Sequence, residues 1–124
     1  MTACQRGTQA WPILLLVACR RETITYDLLG KLIGVSPKRL GNVLEPIQSY
    51  CILQGLAPLT SLVVDETTGL PGEGFIAADD VPSAQADVYE QDWFMHAPPS
   101  AELLLHASDG MIARQARGEG LPRR

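Results

Sequence analysis

Gly34-Val35-Ser36-Pro37 constrains this chain more than any other stretch, because it stops one helix and starts the next within a few residues. Gly34 follows the apolar positions Leu28, Leu29, Leu32 and Ile33, where a left-handed glycine closes a helix. Ser36-Pro37 is a start signal, with serine as N-cap and proline at the first helical position. So short a link gives helix-turn-helix order. Upstream, Thr23 or Thr25 serves as the cap of the first helix. Downstream, Leu40, Val43, Leu44 and Ile47 give the second an apolar stripe. Pro46 is expected either to kink that helix or to begin a new short one reaching Leu53.

Residues Thr8 to Arg21 are apolar at nearly every position and predict a well-buried helix before this pair, with Pro12 near its start and Arg20 and Arg21 at its end. After Gly55 the period becomes extended. Leu62-Val63-Val64 is β-branched and apolar, Asp65 to Gly74 is turn chemistry, and Phe75-Ile76-Ala77 is apolar again, which predicts a hairpin with a long loop. Ser83 is expected to cap a short acidic helix that packs back on the core through Val88, Trp93 and Phe94. The expected fold class is therefore α+β, a mainly helical winged helix-turn-helix with a small β-hairpin wing and a C-terminal tail. Residues 1–94 make the winged-helix domain, with the acidic segment 78–94 packing on it, and 95–124 make a flexible tail rich in Gly, Arg and Pro.

The chain has 124 residues, of which 46% are hydrophobic and 19% charged, enough for one core. Its longest apolar run, Ala10 to Cys19, contains Pro12 and is about half of the roughly 20 residues that cross a bilayer, so neither a signal peptide nor a membrane partner is expected. Cys4, Cys19 and Cys51 are odd in number and form no C-x-x-C pair, which predicts neither a disulfide framework nor a zinc site. A cytoplasmic location is expected. Cys51 reads as a buried structural cysteine, and His96 and His106 have no second ligand at metal spacing. No catalytic residue, cofactor or metal is expected.

The net charge of −4 hides a segregation. Up to residue 50, six Lys or Arg face three acids; from 51 to 110 there are ten acids and no Lys or Arg. Arg114, Arg117, Arg123 and Arg124 then oppose Glu119 alone. Two partners follow from this pattern. For double-stranded DNA, Lys38 and Arg39 occupy the first turn of the recognition helix, where free backbone donors point at phosphates, and Tyr26, Lys31, Ser36, Asn42, Arg20 and Arg21 extend the surface. For a basic protein surface, Asp79, Asp80 and Asp87 supply the charge, joined by Trp93, whose commoner role is core cover.

The order of short motifs resembles the DNA-binding domain of the alkylguanine-DNA alkyltransferases. Thr25-Tyr26-Asp27-Leu28-Leu29-Gly30 resembles that family's T-Y-x-x-(I/L)-A segment, and Pro37 to Leu44 resembles its recognition helix, (A/S)-x-R-A-V-G-x-A-(L/M). Pro58 to Val64 stands where P-C-H-R-V-V belongs, and Gly69 to Phe75 resembles the closing G-x-x-G-G-(Y/F) turn. The likeness spans about residues 22 to 77. It implies a winged helix in which Tyr26 and either Lys38 or Arg39 act on the DNA backbone and on base extrusion. The cysteine position falls on Leu59 or Thr60 and the histidine position on Thr60 or Ser61, so the activated thiolate that alkyl transfer requires is missing. Alkyltransferase-like proteins, which also lack the cysteine, place tryptophan there and keep H-R-V-V; this chain has neither. The expected function is thus a non-enzymatic winged-helix DNA-binding protein, in repair or regulation. The alternative is an acidic interaction module or inhibitor, of the kind carried by phages or mobile elements, that blocks a nucleic-acid-processing complex.

Overall fold

The first helix, α1 (Ala3–Cys19), begins before the apolar run. Thr2 and Gln5 explain the early start through a reciprocal capping box, in which each side chain accepts the other's backbone N–H at 3.1 and 2.8 Å. The computed structural model describes residues 1–122. Along α1, Ala10, Trp11, Leu14 and Ala18 are buried, Ile13, Leu15 and Val17 are half-buried, and Leu16 is 61% exposed. The helix therefore shows a broad buried face, not burial all round. Pro12 lies in mid-helix on the exposed side, where losing one backbone bond costs least.

Strand β1 (Ile24–Thr25) leads into α2 (Tyr26–Ile33), which Thr25 caps by accepting the Leu28 N–H at 3.2 Å. Gly34 ends it at φ 73°, as its position predicts. Pro37–Arg39 is a single 3-10 turn and the longer helix α3 (Leu40–Gln54) starts after it. Ser36 is extended but its hydroxyl caps nothing, which corrects its expected role. Pro46 is buried inside α3 and the helix runs on to Gln54. Beyond Gly55, a buried 3-10 turn (Leu59–Leu62) delivers strand β2 (Val63–Val64), followed by α4 (Val81–Glu90), a 3-10 turn (Trp93–Met95) and α5 (Ala101–Ala116).

The class is α+β in the coarse sense of helices with a very small sheet, but the expected hairpin does not form. Val63 and Val64 pair in parallel with Ile24 and Thr25 across the domain. Residues 65–80 contain no strand. Asp65 closes a tight loop on itself, its Oδ1 accepting from the Thr67 and Thr68 N–H groups at 2.8 and 3.1 Å, and its own N–H donating to Leu70 O at 2.9 Å. Pro71 has no N–H to extend that pairing. The rest of the loop is held by side chains instead: Gly72 N–H donates to Tyr26 Oη at 2.7 Å, and Gln48 grips Gly74 O and Ile76 N at 3.1 and 2.9 Å.

The expected tail is also corrected. Ser100 caps α5 after Pro98-Pro99, and α5 packs extensively on α3 and α1 through Leu104, Ala107, Ser108 and Met111. Glu45 of α3 joins the two helices by accepting from Ser49 and Ser108 hydroxyls at 2.5 Å each. Helix α4 is capped by Asp80, not Ser83, the Ser83 N–H donating to Asp80 Oδ1 at 3.1 Å. In the acidic segment Val88 and Trp93 are buried, and Tyr89 Oη donates to Glu22 O at 2.9 Å. Phe94, expected to join them, is 76% exposed.

Gly30 lies where α2 crosses its own exit, and a Cβ there would stand 2.4 Å from Val35 O. Gly30→Ala is expected to force the backbone apart and lower unfolding stability by about 1–3 kcal/mol, measured by urea titration.

Candidate nucleic-acid interface

The turn between α2 and α3 determines which charges meet. Val35 N–H donates to Gly30 O at 2.9 Å and Arg39 N–H to Ser36 O at 2.9 Å, so the chain folds tightly around Gly34 and leaves Lys38 and Arg39 exposed in the 3-10 turn ahead of α3. Arg39, Ser36 and Asn42 line a groove of about 560 Å³ together with Gly34, Val43 and Arg6 from the start of α1. Arg6 is anchored there, since its Nη1 donates to Ile33 O, and a Cβ on Gly34 would lie 3.3 Å from the same nitrogen. Sequence reading missed Arg6. The Thr2 to Gln5 capping box was the available signal, because it extends α1 back far enough to carry residue 6 alongside the turn.

The basic side chains divide into two sets. Arg20 pairs with Glu22, Arg21 with Glu90, and Arg114 and Arg117 with Glu119. Arg6, Lys31, Lys38 and Arg39 have no acidic partner among the described residues. All four lie at the helix-turn-helix end of the molecule. Arg20 and Arg21 do not: they follow the far end of α1, about 20 Å along its axis from Arg6, and the Arg21 guanidinium stacks over Tyr89 at 6.0 Å. Their expected place on the same basic face is not supported by this geometry.

Lys38 borders a second cleft, of about 410 Å³, which also contains Tyr26, Asp27, Asp65 and Glu66. Its field is mixed. Tyr26 spends its hydroxyl on the Gly72 N–H, so its first role is to hold the 65–76 loop against α2. Between that loop and α3 is a small cavity of about 150 Å³, lined by Tyr26, Leu44, Gln48, Thr60, Gly74 and Phe75. Thr60 is 5% exposed and its Oγ1 is buried without a hydrogen-bond partner among the described residues. A cavity of this size accommodates one six-membered ring.

Of the alternative, acidic set, Asp79, Asp80 and Asp87 share a groove beside α4. Trp93 does not join them. It is 3% exposed, its Nε1 donates to Val88 O at 2.9 Å, and its ring meets Trp11 edge-on at 5.9 Å, so its expected place at a partner surface is corrected to the core. Among the described residues no cluster of His, Cys, Asp and Glu is arranged to hold a metal ion, and no helix is long and apolar enough to cross a membrane. No family model, curated protein or solved structure matches the chain.

Cys51 is fully buried, which pushes its thiol up from an ordinary 9.0 to about 12, against a small opposing effect of its hydrogen bond with the Leu59 backbone. The native state keeps this proton, whereas the unfolded chain releases it near pH 9. Its contribution to stability is therefore complete below pH 9 and lost as pH rises from 9 to about 12. In the native protein an alkylating thiol reagent is expected to modify exposed Cys19 first and Cys4 more slowly, Cys4 being half-buried with a raised pKa from burial. Cys51 is expected to react only on unfolding, as read by peptide mass spectrometry with and without urea.

Proposed function

We propose that this chain is a non-enzymatic DNA-binding protein of winged-helix type, related in design to the alkyltransferase-like proteins, that takes duplex DNA against the α2–α3 turn. One observation carries the reading: the four described basic side chains without an acidic partner, Arg6, Lys31, Lys38 and Arg39, gather at that turn and the start of α3. Charges already committed to internal pairs gain little from phosphate, whereas uncommitted ones release counterions from the duplex on contact. Ser36 and Asn42, in the same groove as Arg39, add neutral donors for backbone phosphates or base edges. The start of α3 adds its free N–H groups and the positive end of its dipole.

In this reading the 65–76 loop stands in for a wing. Tyr26 and Gln48 hold it rigid without a hairpin ladder. The ring-sized cavity behind the loop contains Thr60, one of the two residues aligned with the alkyltransferase cysteine. An alcohol that buried and without an activating base transfers nothing, so the reading is of binding without reaction.

Fluorescence anisotropy with a labelled duplex across a salt series tests the proposal. Arg39→Ala and Lys38→Ala are each expected to weaken binding and to reduce the slope of log affinity against log salt by about 1. Arg6→Ala should do the same, while Arg20→Ala, whose charge is paired with Glu22, should change little. Unchanged affinity in Arg39→Ala, or no duplex binding by the wild-type chain at low salt, would refute it.

A further inference from the structure

The cavity of about 150 Å³ between α3 and the 65–76 loop has the walls of a small-molecule site. Gly41, Leu44, Glu45 and Gln48 line it at the spacing i, i+3, i+4, i+7, so one face of α3 forms its floor. Phe75 and the Tyr26 ring add aromatic walls. Two of these lining residues have their polar atoms engaged with the loop backbone: Tyr26 Oη accepts from Gly72 N–H, and Gln48 bonds Gly74 O and Ile76 N. Thr60 also lines the cavity, is 5% exposed, and its Oγ1 has no hydrogen-bond partner among the described residues. Gly41 leaves space beside it, since a Cβ there would meet no atom within 4 Å.

A buried hydroxyl without a partner destabilises the fold, whereas a methyl group of similar shape in its place does not. Beside a mostly apolar space that takes one ring, a ligand that supplies the missing hydrogen bond offsets this cost. Charge narrows the ligand further. The one charged side chain on the lining, among the described residues, is Glu45, which accepts hydrogen bonds from the Ser49 and Ser108 hydroxyls. A carboxylate at that place repels an anion.

We propose that this cavity binds a neutral one-ring aromatic molecule with a single hydroxyl, a simple phenol in class, its ring against Leu44 and Phe75 and its hydroxyl on Thr60 Oγ1. The ligand is free in solution and needs no duplex, so the proposal does not depend on the DNA reading. A threonine that only packs the core and one that receives a ligand predict opposite results for valine at position 60. If the hydroxyl serves the fold, Thr60→Val lowers stability; if it serves a ligand, stability holds and binding falls.

The probe is 4-fluorophenol, titrated against the full-length chain without DNA and followed by fluorine NMR, with fluorobenzene and 4-fluorobenzoate as controls. The wild-type chain should bind it saturably, with a dissociation constant of about 1 mM or tighter. Fluorobenzene should bind about fivefold more weakly, for want of the hydrogen bond, and 4-fluorobenzoate not at all. Thr60→Val should weaken 4-fluorophenol by about fivefold, leave fluorobenzene unchanged and keep the urea midpoint at or above that of the wild type. Gly41→Leu should place a side chain over the cavity and abolish binding of both without lowering that midpoint. The proposal is overturned if the wild-type chain gives no saturable shift, if fluorobenzene binds as tightly as 4-fluorophenol, or if 4-fluorobenzoate binds as well. It is equally overturned if Thr60→Val lowers the urea midpoint or leaves the affinity for 4-fluorophenol unchanged, or if a folded Gly41→Leu still binds. Should Gly41→Leu not fold, Thr60→Val decides alone.

Discussion

Trp11 is the contact on which the arrangement of faces depends. Its ring meets Tyr50 of α3 at 5.8 Å and Trp93, beyond α4, at 5.9 Å, both edge-on, the geometry that aromatic quadrupoles favour. Through this one side chain α1 is locked to the helix that begins at the basic groove and to the segment that follows the acidic one. The same helix packs against α2, α5 and the buried Leu59–Leu62 turn, so it acts as a shared spine. The indole Nε1 is buried without a hydrogen-bond partner among the described residues, and the position is therefore occupied for shape and apolar bulk at some polar cost. Because α1 is fixed at both ends, Arg6 is held beside the α2–α3 turn while Arg21 is held beside α4.

What the sequence made legible was local chemistry. A glycine that must adopt positive φ and a threonine that caps act within a few residues, and α2 and its end lie where those signals put them, whereas the Ser-Pro break gives a 3-10 turn and α3 starts only at Leu40. The sheet was not legible, because period-2 apolar character says that Leu62 to Val64 is buried and extended but not which segment pairs with it. Val63 and Val64 are buried on both sides and take Ile24 and Thr25 as partners from across the chain, leaving Phe75 to Ala77 without a ladder. Helix α5 was hidden for a different reason. Its buried face is built partly from Ala107 and Ser108, its exposed face carries Leu103, Leu105 and Ile112, and Gly110 sits within it against Leu53, so hydropathy loses its period.

The candidate interface was legible in the same uneven way. Ser36, Arg39 and Asn42 are close in sequence and necessarily close in space. Arg6, Arg20 and Arg21 belong to one helix, and their positions relative to the turn depend on how that helix is oriented, which tertiary packing decides. The sequence pattern also treated Trp93 as an available aromatic, whereas the neighbouring helix ends in a way that turns it inward and satisfies its N–H on Val88.

The segregation of charge then acquires a physical sense along α3. The basic groove includes Asn42 near the start of this helix, and the acidic one includes Ile52 near its end, about 15 Å further on. With a screening length of about 8 Å at physiological salt, carboxylates at one end cannot neutralise guanidinium groups at the other. The helix dipole reinforces the division. Its positive end lies with Arg39, where an anion is attracted twice over, and its negative end lies near Asp79 and Asp87, where a cation is. In both places the protein adds charge of the same sign as the dipole instead of compensating it, which costs stability in isolation. Such an arrangement costs less when an end meets a ligand of opposite charge, as the proposed duplex contact would provide at the start of α3.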